Sequence, residues 1–399
     1  MSGIPPASSQ APQPVAAPRI HWEDMAGEHA ARWLSDAGNP PPARVVPVDD
    51  TLTADAAFRL TGEGTALLWG SDYHNARTLL SALTRRLDKR AAAPKASASS
   101  KAAAADLTQQ FHRYRMAQAQ RTNQLGKLLV PMSADHRVLL PRAPDVSAAC
   151  DAAWGPVGES YVVSLRELLG AIGAWEWRKR GVSIAALGAS IHPHYGVFSP
   201  VRGEYIALVA NTPLPDVLET KPLAMDVGTG TGVLAAVLAR RGVPHVLATD
   251  QDPRALACAR ENIERLQHAR QVEVLQADLF APGQAALVVC NPPWLPGKPA
   301  SRLDHAIYDP DSRMLRSFIA GLRAHLVPGG EGWLILSDLA EHLGLRSRAQ
   351  LLGWIEAAGL RVLERIDTRP EHPRAADASD PLHSARAQEV TSLWRLSAA

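Results

Sequence analysis

The 399-residue sequence has only three cysteines, Cys150, Cys258 and Cys290, far apart and without metal-ligand spacing. Neither a disulfide framework nor a structural zinc site is expected from them, and a reducing cytoplasmic setting fits. No run of about 18 apolar residues occurs, which argues against a membrane-spanning helix. Met1 to Arg19 lacks a basic start followed by an apolar stretch, so it does not read as a secretory signal. No internal repeat is visible. Neither sign of charge dominates, with 42 Lys and Arg against 40 Asp and Glu. Apolar residues at 46% and charged residues at 21% exclude collagen, a coiled coil and wholesale disorder. The length allows two domains or three, at roughly 100–200 residues each.

The charge is unevenly spread. Between Arg85 and Lys127 stand ten basic residues, opposed only by Asp88 and Asp106, a net +8 on a chain whose total is +2. Such a segment on a mildly acidic remainder can attract phosphates; a solvated surface is the plainer reading. Residues 1–20, rich in Pro, Ala and Ser, read as a disordered tail, and 91–105 as a low-complexity linker. Helical patterns at Glu28–Asp36, Ala76–Arg90, Leu107–Leu125 and Val157–Arg180 make 21–190 a mostly helical N-terminal region.

From about Ile191 short apolar runs alternate with helical patterns, as in a parallel sheet with crossover helices. Strands are expected at 223–227, 246–249, 272–275, 287–290, 333–336, 361–366 and 390–396. Helices are expected at 233–241, 253–266, 314–326 and 347–358. No helix is expected between the last two strands, which implies an antiparallel hairpin closing the sheet.

The first of these strands runs into Asp226-Val227-Gly228-Thr229-Gly230-Thr231-Gly232, with a helix directly after. Glycines allow positive φ and close approach of a ligand to the backbone. The spacing is not the G-x-G-x-x-G of a dinucleotide fold. Asp226, two residues before the first glycine, would repel a pyrophosphate but suits an ammonium group, as in the methionine part of S-adenosylmethionine. Asp250, ending the second strand, stands where a ribose-binding acid belongs, whereas Asp252-Pro253 reads as a helix cap. Asp278, after the third strand, could accept from an adenine amino group or be a turn residue. After the fourth strand comes Asn291-Pro292-Pro293-Trp294. The Asn291 side-chain oxygen and the Pro292 carbonyl can both accept from one –NH₂ group, and Trp294 offers a flat stacking face. Holding a conjugated nitrogen by its two protons turns its lone pair toward an activated methyl, so the acceleration comes from positioning. His192 and His194 have no further clustered ligands and read as an ordinary loop, so no metal is expected.

Together Asp226–Gly232, Asp250, Asp278 and Asn291–Trp294 resemble the class I S-adenosylmethionine-dependent methyltransferases with a methyltransferase small domain. The Asn-Pro-Pro-aromatic element is similar to that of N-methyltransferases: release-factor glutamine, adenine-N6 and ribosomal RNA guanine-N2 enzymes. The resemblance covers about 191–345 and the last strands by topology. It implies an α/β fold with a seven-stranded Rossmann-like sheet whose last strand is antiparallel, making 191–399 the methyltransferase domain. It also implies S-adenosyl-L-methionine as cofactor. Asp226, Gly228, Gly230 and Gly232 would hold its methionine part, Asp250 the ribose and Asp278 the adenine region, while Asn291, Pro292, Pro293 and Trp294 would hold the substrate, with Asn291 reaching toward the cofactor as well. Gly196–Glu204 matches the family's lead-in segment loosely, and Trp294 stands where the glutamine enzymes carry Tyr and the guanine enzymes Phe.

The expected activity is N-methylation of a nucleic-acid base, RNA or DNA, because the basic segment with Phe111, Tyr114 and Tyr195 could dock phosphates and stack bases. The competing reading is a protein glutamine methyltransferase of the release-factor type, whose partner would be a translation factor. From another class comes a non-catalytic binding module. A dinucleotide oxidoreductase is disfavoured by the glycine spacing.

Overall fold

A computed structural model describes residues 17–92, 107–201, 203–369 and 380–399. The expected tail up to residue 16 and the linker over 93–105 lie outside the described residues. The described chain divides into two compact units. One comprises the residues up to Arg86 with Gln124–Asp145 and Pro156–Glu167; the other comprises Leu87–Asn123, Val146–Gly155 and Leu168–Ala399.

The first unit corrects the expectation of a mostly helical region over 21–190. Its strands are β1 (Arg19–Asp24), β2 (Gly27–Leu34), β3 (Val45–Val48), β4 (Ala66–Trp69), β5 (Leu128–Met132) and β6 (Tyr161–Ser164). They form a six-stranded sheet in the order β1-β2-β6-β5-β4-β3. Both β4 and β6 are buried along their whole length, so neither shows the alternation that marks a half-exposed strand. Residues 28–34, expected to be helical, lie in β2 instead, antiparallel to β1 with Ala31 opposite Ile20 and parallel to β6 with Trp33 opposite Val162. Ile20, Trp33, Val45, Leu68, Leu129 and Val162 form one core of this unit. Helix α1 (Ala54–Gly62) and most of helix α2 (Tyr73–Ala92) belong to it.

Helix α3 (Leu107–Leu125) matches the expected span, and all but its last two residues belong to the second unit. Helices α4 (Ser147–Trp154) and α5 (Leu165–Arg180) follow, then a hairpin of β7 (Val182–Ile184) and β8 (Ala189–Ile191) and helix α6 (Glu204–Asn211). The unit boundary therefore does not fall at residue 190.

The large sheet holds β9 (Leu223–Val227), β10 (His245–Asp250), β11 (Val272–Gln276) and β12 (Ala285–Cys290). A two-residue pair, β13 (Leu295–Pro296) and β14 (Tyr308–Asp309), stands apart from it. Then come β15 (Leu326–Ser337), β16 (Leu360–Thr368) and β17 (Thr391–Ala398). The order is β11-β10-β9-β12-β15-β17-β16, seven strands as expected. All neighbours are parallel except β17, which runs antiparallel to β15 and β16. Helices α7 (Val233–Arg240), α8 (Pro253–Arg265), α9 (Arg313–Leu322), α10 (Leu339–His342) and α11 (Arg348–Ala357) connect these strands, and a short α12 (His383–Arg386) precedes β17. The long loop before β17 thus holds one helical turn, while 370–379 lie outside the described residues.

Alternate residues of each strand serve opposite faces. Ala224, Leu287, Val289, Trp333, Ile335 and Leu393 pack with α6 and α7. Met225, Val288, Cys290, Leu334, Leu336 and Trp394 pack with α9 and α11. Helices on both faces bury the central strands completely, which is why these strands read as continuous apolar runs. Among the described residues no helix is long and apolar enough to cross a membrane.

Candidate active site

The order of the large sheet reverses between β9 and β12, and ligands of open α/β sheets bind beyond the carboxyl ends of strands at such a point. The two sequence motifs meet there. In the parallel register Cys290 lies opposite Val227, so the chain leaves β9 into the glycine turn beside where it leaves β12 into Asn291.

Gly228, Gly230 and Gly232 have φ values of 73°, 55° and 80°, a left-handed region where other L-residues are strained. The turn is pinned from the neighbouring strand, since the backbone N–H groups of Gly228 and Thr229 both donate to the Thr249 carbonyl, at 2.9 and 2.8 Å. Space around the three differs. A Cβ on Gly228 would sit 2.9 Å from the Met314 methyl, and one on Gly232 3.2 Å from the Ala259 Cα. One on Gly230 would meet nothing within 4 Å. The middle glycine therefore faces open space while its neighbours face protein.

Asp226 is buried. Its Oδ2 accepts from the Thr229 hydroxyl at 2.7 Å and from the Ala235 N–H at 3.0 Å. Gly232, at the N-cap of α7, has no side chain to offer the helix, and Asp226 supplies the acceptor instead. Burial, with the like charge of Asp250 adding to it, pushes the Asp226 carboxyl up to about 6 despite these hydrogen bonds. Asp250 accepts from the Gly230 N–H through Oδ2 and from the Asp252 N–H through Oδ1, each at 3.0 Å. Burial raises its carboxyl above the usual range. Asp252 caps α8 by accepting from the Arg254 N–H at 2.9 Å, as its position before Pro253 predicts. Asp278 is exposed, just past Ala277, whose N–H donates to the Asp250 carbonyl at 3.1 Å.

On the other side of the crevice the Trp294 indole N–H donates to the Asn291 Oδ1 at 2.9 Å. Trp294 also packs against both core layers. Its ring is thus anchored in the protein, and its N–H orients the amide that the motif presents. One lone pair of Oδ1 remains for a further donor.

Sequence reading missed Asn262. It is fully buried on α8, where its Nδ2 donates to the Thr231 carbonyl at 3.0 Å and its Oδ1 accepts from the His192 N–H at 2.8 Å. It ties the glycine turn to the segment that leads into the domain. Its only sequence signal is a polar residue on the apolar stripe of α8. His192 Nδ1 lies 2.7 Å from the Arg178 carbonyl, and His194 Nε2 donates to Glu261 at 2.7 Å. Burial acts to raise the Glu261 carboxyl, but hydrogen bonds from Arg265, His194 and Arg178 outweigh it and bring it down to about 2. In the lead-in segment, Val197 packs on Ala255 and Cys258.

This strand order, with a glycine turn and a prolyl motif at its reversal point, is the class I fold of the S-adenosylmethionine-dependent methyltransferases. Residues 189–350 match the family model of the methyltransferase small domain. A release factor glutamine methyltransferase of Cereibacter sphaeroides is 35% identical over 176 residues, covering 41% of this chain and 58% of that protein. Another, of Deinococcus radiodurans, is 35% identical over 148 residues, 34% of this chain and 52% of that one. A ribosomal protein L11 methyltransferase of Pelotomaculum thermopropionicum is 37% identical over 142 residues, 35% of this chain and 38% of that one. The chain spans about half the length of the curated relatives it matches.

Proposed function

We propose that the protein is an S-adenosylmethionine-dependent N-methyltransferase whose acceptor is a protein side-chain amide, the glutamine of a release-factor type substrate. The observation that carries this is the meeting of the glycine turn with Asn291–Trp294 at the reversal point of the sheet. The glycine turn suits the cofactor, because Gly230 leaves a cradle that any Cβ would fill. In this reading Asp226 and the turn hold the methionine part, Asp250 the ribose and Asp278 the adenine region. When bound, the cofactor supplies an electrophilic methyl group on a cationic sulfur. The second lone pair of Asn291 Oδ1 and the Pro292 carbonyl accept the two protons of the acceptor –NH₂. That leaves the nitrogen lone pair directed at the methyl, with acceptors placed where positive charge develops. The proton leaves to solvent after transfer, so no strong base is needed.

The choice of a protein over a nucleic acid rests on two supports. The relatives of 35% identity are named for release factors. Half of the described basic residues of the segment, the chief argument for nucleic acid, are occupied within the fold, while Arg85, Lys89, Arg90 and Arg113 are exposed. Arg86 pairs with Asp55 at 2.8 Å, Arg121 with Asp88 at 2.9 Å and Arg115 with Asp304 at 3.5 Å. Lys127 is half-buried, and burial lowers its ammonium below the ordinary value. Lys95 and Lys101 lie outside the described residues.

The test is transfer of a labelled methyl group from S-adenosylmethionine, offered with a release factor, bulk RNA and DNA, beside an Asn291→Ala variant. Label on the release factor, mapped by mass spectrometry to a glutamine and absent with the variant, is the expected result. Label lost to a nuclease would return the assignment to a nucleobase. Binding of S-adenosylhomocysteine without transfer to any acceptor would leave a binding module.

A further inference from the structure

The chain after the Asn-Pro-Pro-Trp motif returns on itself. β13 and β14 pair in parallel, Leu295 opposite Tyr308 and Pro296 opposite Asp309, and close residues 297–307 into a loop. Both ends of this loop touch the candidate site. With its two closing strands it spans 295–309 and starts one residue after Trp294. It ends at Asp309, a buried carboxylate that accepts from the Met314 and Leu315 N–H groups at 3.0 and 3.1 Å, and the Met314 methyl lies against Gly228.

One side chain grips the loop at three points, and it comes from α3, in the middle of the basic segment. Arg115 donates through Nη2 to the Lys298 carbonyl at 2.6 Å, 183 residues further along the chain. Its Nη1 pairs with Asp304 at 3.5 Å, and the same Asp304 oxygen accepts from the Ala300 N–H at 2.9 Å. Its guanidinium carbon stands 3.6 Å from the centroid of the Tyr308 ring. The start, middle and end of the loop are thus fixed by one planar cation, a task that suits the guanidinium's fork of donors and flat face. The rest of the helix face supports it: Phe111 and Tyr114 pack with Leu295, Ile307 and Tyr308, and the Thr108 hydroxyl donates to the Leu343 carbonyl at 2.8 Å.

We propose that Arg115 is a positioning residue for the acceptor site: through the 295–309 loop it sets the shape in which Asn291 to Trp294 meet the incoming amide. The middle of the basic segment then serves the site by ordering this loop, not by meeting phosphate. The inference rests on the N-methyltransferase reading.

The test compares wild type, Arg115→Met, Arg115→Lys and Arg115→Met with Tyr308→Leu, all as the full chain. Three quantities are read: kcat and KM for the release-factor acceptor, the Kd of S-adenosylhomocysteine, and the rate of tryptic cleavage after the exposed Arg302. Arg115→Met should raise the acceptor KM about tenfold, the effect of losing one stacked, half-buried cation and its hydrogen bonds. It should also speed cleavage after Arg302 and leave S-adenosylhomocysteine binding unchanged. Lysine restores the charge without the stack and fork, so Arg115→Lys should stay closer to methionine than to wild type. Tyr308→Leu should add nothing to Arg115→Met. An unchanged acceptor KM in Arg115→Met overturns the inference, whatever happens to cleavage. So does a loss shared equally by S-adenosylhomocysteine binding and thermal stability, which would mark a merely structural residue. A wild-type protein that methylates no acceptor overturns the N-methyltransferase reading and this inference with it, whereas an active wild type with an unaffected Arg115→Met overturns this inference alone.

Discussion

Replacing Trp294 by Phe keeps an aromatic ring and removes a single donor, the N–H that reaches Asn291 Oδ1 at 2.9 Å. The amide of Asn291 can present its oxygen or its nitrogen to an incoming –NH₂, and only the oxygen can accept. With the indole in place the oxygen-forward orientation gains a hydrogen bond, while the flipped one sets two N–H groups against each other. A difference of about 1.4 kcal/mol, within reach of one such bond, is a tenfold ratio between orientations. Without the donor the two become nearly equal, so the productive fraction falls from about nine-tenths to about one-half, roughly a twofold loss of rate. Asn291→Ala removes the acceptor itself, and the comparable loss of a transition-state hydrogen-bonding group costs about 10²–10³ in kcat. The measurement is the single-turnover rate of methyl transfer at saturating S-adenosylmethionine for wild type, each single variant and the double variant. If Trp294 acts through Asn291, Trp294→Phe has no effect in the Asn291→Ala background. A Phe substitution that costs the same with and without Asn291 would refute the hydrogen bond as its route of action, and a hundredfold loss in the single variant would show that the indole does more than orient the amide.

Three other outcomes follow from the same geometry. Because burial holds Asp226 protonated below about 6, S-adenosylhomocysteine affinity should fall as the pH drops from about 7 to 5, by at most about tenfold per pH unit. In calorimetry Asp226→Asn, which still accepts from Thr229 and Ala235, should bind weakly at every pH; a wild-type affinity flat across this range would count against the carboxylate. Gly230→Ala should fold with a modest loss of Tm, about 1 kcal/mol of backbone strain, yet lose S-adenosylhomocysteine binding. Gly232→Ala, which adds a clash with the Ala259 backbone to the same strain, should lose more stability, and a reversed order of the two melting temperatures would contradict the packing. In the first unit, burial pushes Glu167 up to about 7, above its value in an unfolded chain. The protonated form therefore favours folding, and that contribution is complete below about pH 4.5 and lost as the pH rises through 7, at most about 3 kcal/mol. Urea titrations at pH 5 and 8 should show wild type losing stability relative to Glu167→Gln, whereas parallel behaviour would refute the shift.

Much of the second unit was legible beforehand because its information is local. Short apolar runs between amphipathic helices read as buried parallel strands, and six of the seven strands of the large sheet were expected within a few residues of where they lie; β15 starts at Leu326, seven residues before the expected 333. The glycine turn, Asp250 and Asn291–Trp294 were legible for a related reason: each follows a strand end, and the chemistry each offers depends on its own backbone. The six-stranded sheet of the first unit was not. β4 and β6 are too short and too uniformly buried to show a period, and β2 is built from residues such as Glu28, Ala30, Ala31 and Arg32 that favour helices until a neighbouring strand claims them.

Sequence alone therefore determined the alternation of strands and helices after residue 191 and that the glycine turn and Asn291–Trp294 each follow a strand end. Tertiary structure alone decided what those residues do to one another. Asp226 turns inward to cap α7, Asn262 ties down the turn, the Trp294 indole orients Asn291, and Arg115 holds a loop far along the chain. The physical reason is common to all four. Periodicity and turn chemistry report the conformation of a segment, whereas a hydrogen bond or a stacked cation depends on where a second segment ends up, and no pattern within either segment records the other.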